Sequence, residues 1–208
     1  MELSLAFSSY FTDTIQRLMG VALSTLLFLA FQSRGTIFEI DLTPYEHTPV
    51  FEATSKQLTL HKLPSSSSRV TKSVKVSPGQ RISFDDERYR TIQTGRFRVL
   101  VASHVIGRTI GKVNHLWRKD YYSYGFAPAN VEVKAGTTFD YLQYRAEGTC
   151  FVRIDGTVID AEACPIINKT SFRLEREPKT QLWIHVAIAD SEGWILVGKS
   201  TVKDVGRE

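Results

Sequence analysis

The chain has 208 residues, of which 42% are apolar and 23% are charged, so it is long enough for one large domain or two small ones and too apolar to be disordered. Its glycines and prolines follow no triplet period, which excludes a collagen-like fibre, and its single long apolar run excludes a multi-span transporter or channel. The net charge is only +4, yet residues 81–119 hold nine basic and three acidic side chains. This segment either attracts phosphates, anionic lipid or acidic polysaccharide, or forms a solvated face that pairs with acidic residues elsewhere.

An apolar segment lies near the N-terminus. Arg17 precedes fourteen apolar or small residues, 18–31, and polar residues follow. As a helix they would span about 21 Å, less than the roughly 30 Å of a bilayer core, so their length favours the apolar part of a secretory signal. Residues 1–34 are therefore predicted to be a signal peptide or membrane anchor that contacts the membrane only through residues 17–31. A buried core helix is the alternative.

The next part of the chain changes from irregular to alternating. Residues 35–68 are broken by three prolines and end in four serines, which predicts an extended linker or lead-in. From residue 69, polar and apolar side chains alternate with the period of two that is typical of strands, for example in Arg96-Phe97-Arg98-Val99. We therefore predict a first β unit over residues 69–126.

The C-terminal part shows the same alternation. It is clearest in Phe139–Tyr144, Phe172–Arg176 and Leu182–Ile188, and glycine or proline turns separate these runs. No segment after the leader has a convincing helical face. The predicted fold is mainly β, with two small barrel-like or sandwich-like units after an N-terminal apolar leader helix, the second unit covering residues 127–208.

One hairpin and one disulfide are predicted within this second unit. Asp155-Gly156 suits a two-residue turn whose central residues both need positive φ, and pairing across that turn sets Cys150 opposite Ala161. Cys164 must then fold back through the next corner to reach Cys150. The two cysteines are predicted to form one bridge, the alternative being two buried reduced thiols.

Residues 131–205 resemble a bacterial SH3-like domain. The residues that carry the resemblance are Trp183-Ile184-His185-Val186 and Gly193-Trp194-Ile195-Leu196-Val197, because a Gly-Trp followed by aliphatic residues commonly forms a late core strand in that family. The early Asn-Val-Arg-x-Gly-Pro stretch of the family is absent here. The resemblance implies an extracytoplasmic module that binds cell-wall material or regulates a partner.

The common catalytic motifs are missing from the sequence. There is no Gly-x-Gly-x-x-Gly, Gly-x-Ser-x-Gly, His-Glu-x-x-His or Cys-x-x-Cys, so we predict no cofactor, no metal site and no catalytic residue. The enzymatic alternative is a cell-wall amidase or peptidase with Cys150 as nucleophile and His115 or His185 as base. Against it, an activated thiolate usually lies at a helix N-terminus, whereas Cys150 opens a predicted strand.

The remaining candidate is a contact surface. Residues 117–126 hold five aromatic rings and two cations, a combination that suits stacking on sugars or bases. The candidate ligand-binding residues are Trp117, Arg118, Lys119, Tyr121, Tyr122 and Tyr124. An aromatic plug between the two β units is the structural alternative.

These observations predict a non-enzymatic binding or structural module of the cell envelope, periplasmic or secreted, whose partner is a cell-wall polymer or an envelope protein. No nucleic acid is expected as a partner of an exported chain. An intracellular nucleic-acid-binding protein that uses residues 81–126 is the other alternative.

Overall fold

A computed structural model describes residues 38–41, 49–117 and 126–206. The described strands are β1 (Phe38–Ile40), β2 (Phe51–Ala53), β3 (Gln57–His61), β4 (Val70–Lys75), β5 (Arg81–Ile82), β6 (Phe84–Gln93), β7 (Gly95–Val99), β8 (Ser103–Gly111), β9 (His115–Leu116), β10 (Ala127–Val133), β11 (Thr138–Tyr144), β12 (Cys150–Ile154), β13 (Thr157–Ala161), β14 (Phe172–Arg176), β15 (Lys179–Ile188), β16 (Ser191–Leu196) and β17 (Val202–Asp204). The prediction of a mainly β protein is confirmed. The predicted leader, residues 1–34, lies outside the described residues.

The strands form three sheets. The first sheet has the order β4-β3-β16-β15-β6-β1-β9, the second has the order β10-β8-β13-β12-β11-β7-β14, and the third has the order β17-β2-β5. Neighbouring strands are antiparallel except β1 and β9, which run parallel. Within the described ranges, no helix is long and apolar enough to cross a bilayer.

Three apolar clusters fill the space behind the sheets. The second sheet encloses one cluster, which includes Phe97, Phe139, Val152 and Phe172. The first and third sheets share another, formed mainly by Phe51, Leu58, Leu60, Ile82, Ile184, Val186, Ile195 and Val202. A third cluster joins residues of the first and second sheets and contains Phe38, Ile40, Tyr89, Leu116, Leu142, Phe151 and Val158. Burial of these apolar side chains is the main force that holds the sheets together.

The segment predicted as a linker or lead-in, residues 35–68, contributes three strands to this arrangement. Strands β1, β2 and β3 place six apolar side chains in the core, namely Phe38, Ile40, Phe51, Ala53, Leu58 and Leu60. Strands on either side of residue 126 also pair with each other, since β6 pairs with β15 and β7 pairs with β11 and β14. The division into units at residues 126 and 127 stays a prediction.

The predicted hairpin forms between β12 and β13. Asp155 has a φ of 48° and Gly156 a φ of 79°, the positive values that this turn needs. The register places Cys150 opposite Ala161, as predicted. The chain then turns back, and Cys164 forms a disulfide with Cys150 across a Cα separation of 5.1 Å. Both cysteines are buried against the core of the second sheet.

Removing this bridge should destabilise the folded state. A disulfide that closes a loop of this size contributes about 3 kcal/mol, chiefly by restricting the unfolded chain. We therefore expect the double variant Cys150→Ala, Cys164→Ala to lose about that much free energy of unfolding in urea titration. As the matched control, a reductant should lower the urea midpoint of the native protein by a similar amount. It should leave the urea midpoint of the double variant unchanged. An equal midpoint for all samples would contradict the structural role of the bridge.

Candidate functional site

The predicted contact surface is only partly covered by the described residues. Trp117 follows β9 directly and is half-buried. The other candidates, Arg118, Lys119, Tyr121, Tyr122 and Tyr124, lie outside the described residues. The site is therefore built from Trp117 and from the side chains that surround it.

The outward face of the first sheet brings Trp117 together with residues from distant parts of the chain. In the pairing of β6 with β15, Arg88 lies opposite Trp183 and Asp86 lies opposite His185, and on the next strand His185 lies opposite Trp194. Because side chains alternate between the two faces of a strand, these residues lie opposite the neighbours that fill the core. Those buried neighbours include Tyr89, Ile184 and Ile195.

A guanidinium group lies between two indole rings on this face. The central carbon of the Arg88 guanidinium is 4.8 Å from the centroid of the Trp117 ring and 5.4 Å from that of Trp194. Both distances are within the range of a cation–π contact. The histidine beside each indole extends the series: His115 stacks on Trp117 at 5.3 Å, and His185 lies 5.2 Å from Trp194. We call these five residues the aromatic–arginine row.

Carboxylates balance the charge of the row. Arg88 forms ion pairs with Asp86, with Asp41 at 3.8 Å and with Glu39 at 3.9 Å. Strand β1 positions Glu39 for this, because Glu39 lies opposite Arg90 on one side and His115 on the other. Arg88 is thus fixed by several partners, and its charge is compensated within the protein.

Two further ion pairs flank the row. Arg90 donates from Nε to Glu39 at 2.9 Å, and the Nδ1 atom of His185 lies 2.7 Å from a carboxylate oxygen of Asp85. The row therefore offers flat rings beside the Arg88 guanidinium, and carboxylates flank it. Such a surface combines apolar faces with polar groups that fix orientation.

Trp183 lies on the same face but is fully buried. His61 makes an edge contact with the Trp183 ring at 5.4 Å, and its Nδ1 atom lies 3.2 Å from the carbonyl oxygen of Ser68. Arg90 donates to the carbonyl oxygen of Pro64. The Nε1–H group of the Trp183 indole donates a hydrogen bond to the side-chain oxygen of Gln181 at 3.2 Å. Trp183 therefore has a structural role, and Trp117 and Trp194 are the indoles available to a ligand.

Neither Arg88 nor Trp194 is among the site residues that the sequence predicts. The sequence predicts Trp194 as part of a core strand. In the structure Trp194 is half-buried, and its two neighbours in the strand, Gly193 and Ile195, are the buried residues. A signal was present for Arg88, since Asp86, Arg88 and Arg90 occupy alternate positions of one strand and must share a face. The sequence pattern does not show which strands lie next to that face.

The candidate nucleophile, Cys150, begins β12 of the second sheet, whereas the aromatic–arginine row lies on the first sheet. Its sulfur is bonded to Cys164 and buried, so a thiolate at this position would first require reduction of the bridge. Among the residues that the structure describes, no group of three His, Cys, Asp or Glu side chains could hold a metal ion.

The contact between Arg88 and Trp194 should be measurable as a coupling energy. We expect a double-mutant cycle with Arg88→Met and Trp194→Leu to give about 0.5–1 kcal/mol of favourable coupling in urea unfolding, the size of a cation–π contact near a surface. A matched cycle that replaces Lys134, an exposed residue of the turn between β10 and β11, together with Trp194 should give none. Zero coupling in the first cycle would show that the two side chains do not interact in solution.

Comparisons with protein-family models, with curated proteins and with solved structures found no match to this chain. The function must therefore be inferred from the chemistry of its own residues.

Proposed function

We propose that the chain is an exported, non-enzymatic binding module of the cell envelope whose aromatic–arginine row contacts neutral sugars of the cell wall. The observation that carries the proposal is the Arg88 guanidinium held between Trp117 and Trp194 on a partly exposed sheet face. The resemblance of residues 131–205 to bacterial SH3-like domains also supports this proposal.

The geometry of the row suits a sugar chain. The apolar face of a pyranose ring stacks on an aromatic ring, while its hydroxyl groups take hydrogen bonds from guanidinium groups and give them to carboxylates. Both kinds of group are present: the row supplies the indoles of Trp117 and Trp194 and the guanidinium of Arg88, and Glu39 beside it supplies a carboxylate. Because the ion pairs already fix Arg88, little side-chain entropy is lost when a ligand binds.

The balance of charge favours a neutral ligand over a nucleic acid. Arg88 and Arg90 are cations of the basic segment 81–119, but both are paired with carboxylates. A phosphate chain would have to compete with Glu39, Asp41 and Asp86 for them. A nucleic-acid-binding surface would also give an affinity that falls steeply with salt, whereas stacking on a neutral sugar should depend on it only weakly.

The disulfide supports the proposed location. Structural disulfides form and persist in oxidising compartments, such as the periplasm and the extracellular medium, and are rare in the cytosol. The Cys150–Cys164 bridge fits a periplasmic or secreted protein for that reason. Export through residues 1–34 is part of the same proposal, and N-terminal sequencing of the mature protein would test it.

The affinity test uses soluble oligomers of N-acetylglucosamine as the probe. We expect the folded protein to bind them in calorimetric titration, and Trp117→Ala and Trp194→Ala each to weaken binding about tenfold, the factor that corresponds to about 1.4 kcal/mol for a buried aromatic anchor. The control variant is Tyr144→Ala, which removes an exposed aromatic ring from the second sheet. Circular dichroism checks that every variant is folded.

Two results would contradict this proposal. One is undiminished binding by both tryptophan variants, which would place the sugar elsewhere. The other is an affinity that falls by orders of magnitude as salt is raised, which would favour the nucleic-acid alternative.

Alkylation distinguishes the binding module from the cysteine hydrolase. Because Cys150 is buried and bonded, we expect iodoacetamide to label neither cysteine of the folded protein until a reductant is added. The double variant Cys150→Ala, Cys164→Ala provides the background signal. Rapid labelling of Cys150 without reductant would instead support a nucleophilic thiolate.

A further inference from the structure

A second candidate site lies on the second sheet and shares no residue with the aromatic–arginine row. It is a pocket with a volume of about 440 Å³, within the range of pockets that hold small molecules. Four apolar and two basic residues line it: Leu100, Ile166, Phe172, Leu174, Lys169 and Arg173.

The fold holds the walls of this pocket in place. Phe172 and Leu174 belong to β14, which pairs with β7 and ends the second sheet. Leu100 comes directly after β7, and its backbone N–H donates to the carbonyl oxygen of Ser171 at 2.8 Å. Ile166 lies two residues beyond Cys164, so the disulfide anchors the segment that carries it. The pocket is therefore a formed feature of the folded chain.

Four of the six residues that line the pocket are apolar. Phe172 is buried, while Ile166 and Leu174 are partly buried and pack against the core of the second sheet. Leu100 is 42% exposed, and the nearby Val101 and Ile167 are 56% and 60% exposed.

The rim of the pocket is cationic. Lys169 has no ion-pair partner among the described residues, and the side chain of Arg173 is 61% exposed. The nearest carboxylate, Glu175, lies 3.7 Å from Arg173 but is hydrogen-bonded to Arg98. That bond holds the pKa of Glu175 below its usual range, so this group stays a carboxylate shared between two arginines. An anion at the rim would meet Lys169 and a partly compensated Arg173.

We infer that this pocket binds the single acyl chain of an anionic amphiphile, a fatty acid, with the chain against Leu100, Phe172 and Leu174 and the carboxylate at Lys169 and Arg173. The apolar walls favour the chain because burying it removes hydrocarbon from water, and the two cations favour a negative head. A neutral sugar would leave the apolar walls without apolar partners.

The length of the acyl chain provides the first test. The full chain is titrated with decanoate and dodecanoate below the concentrations at which they form micelles, and with acetate as a head-only control. We expect no measurable binding of acetate and an affinity that rises about fourfold with each added methylene, because each one adds buried apolar surface. Equal binding of acetate and dodecanoate, or no binding of dodecanoate, would overturn the inference.

Variants locate the site. Leu100→Glu should abolish dodecanoate binding by placing a negative charge on the pocket wall, whereas Ile106→Glu, which alters an exposed apolar residue of β8 outside the pocket, should not. Lys169→Ala should weaken dodecanoate binding about fivefold and leave the binding of dodecanol unchanged. Because Lys169 is an exposed loop residue, this variant keeps the test valid if Leu100→Glu does not fold.

Two further outcomes would overturn the inference. One is unchanged dodecanoate binding by both Leu100→Glu and Lys169→Ala. The other is a dimer of the native chain that Leu100→Glu converts to a monomer in sedimentation analysis, because a second copy would then be the occupant. Binding of N-acetylglucosamine oligomers should be the same in all three variants, so the outcome here is separate from that of the proposed function.

Discussion

The arrangement of the candidate site depends on the register between the two longest described strands, β6 and β15. Trp183 opposite Arg88 and His185 opposite Asp86 place these four side chains on the outward face, while Tyr89, Ile184 and Val186 lie on the core face. Because side chains alternate with a period of two, a shift by one residue would bury Arg88 and expose Tyr89. The apolar clusters behind the sheet make that shift costly, and so the core indirectly fixes the position of the arginine.

The strands on either side of β6 and β15 supply the other residues of the site. Strand β16 adds Trp194 on one side, while β1 and β9 add Glu39 and Trp117 on the other. Ion pairs hold Arg88 in place, and His61 at the end of β3 contacts the ring of the buried Trp183. The same sheet thus uses one tryptophan for packing and presents two at a partly exposed surface. The second sheet is stabilised differently, by its own core and by the Cys150–Cys164 bridge.

Local features of this fold could be predicted from the sequence, and features that join distant segments could not. Alternation identified β strands, and Asp155-Gly156 identified the hairpin that sets Cys150 opposite Ala161, because both depend on neighbouring residues. Strands such as β1 and β2 are three residues long, too short for a period to be seen, and prolines around them suggested a linker. The position of Arg88 between Trp117 and Trp194 depends on strand order, since these residues are far apart in the sequence. The pocket beside Leu100 and Phe172 likewise combines the end of β7, the segment after Cys164 and β14.

The most direct test of the central claim follows the three indole N–H signals by nuclear magnetic resonance during titration with an N-acetylglucosamine oligomer. The chain contains three tryptophans, so each signal can be assigned by single substitution, and Trp183 is an internal control because it is fully buried and bonded to Gln181. If the aromatic–arginine row binds sugar, the signals of Trp117 and Trp194 will shift with the same saturation curve while that of Trp183 stays in place. Unchanged signals of Trp117 and Trp194 at saturating oligosaccharide would contradict it.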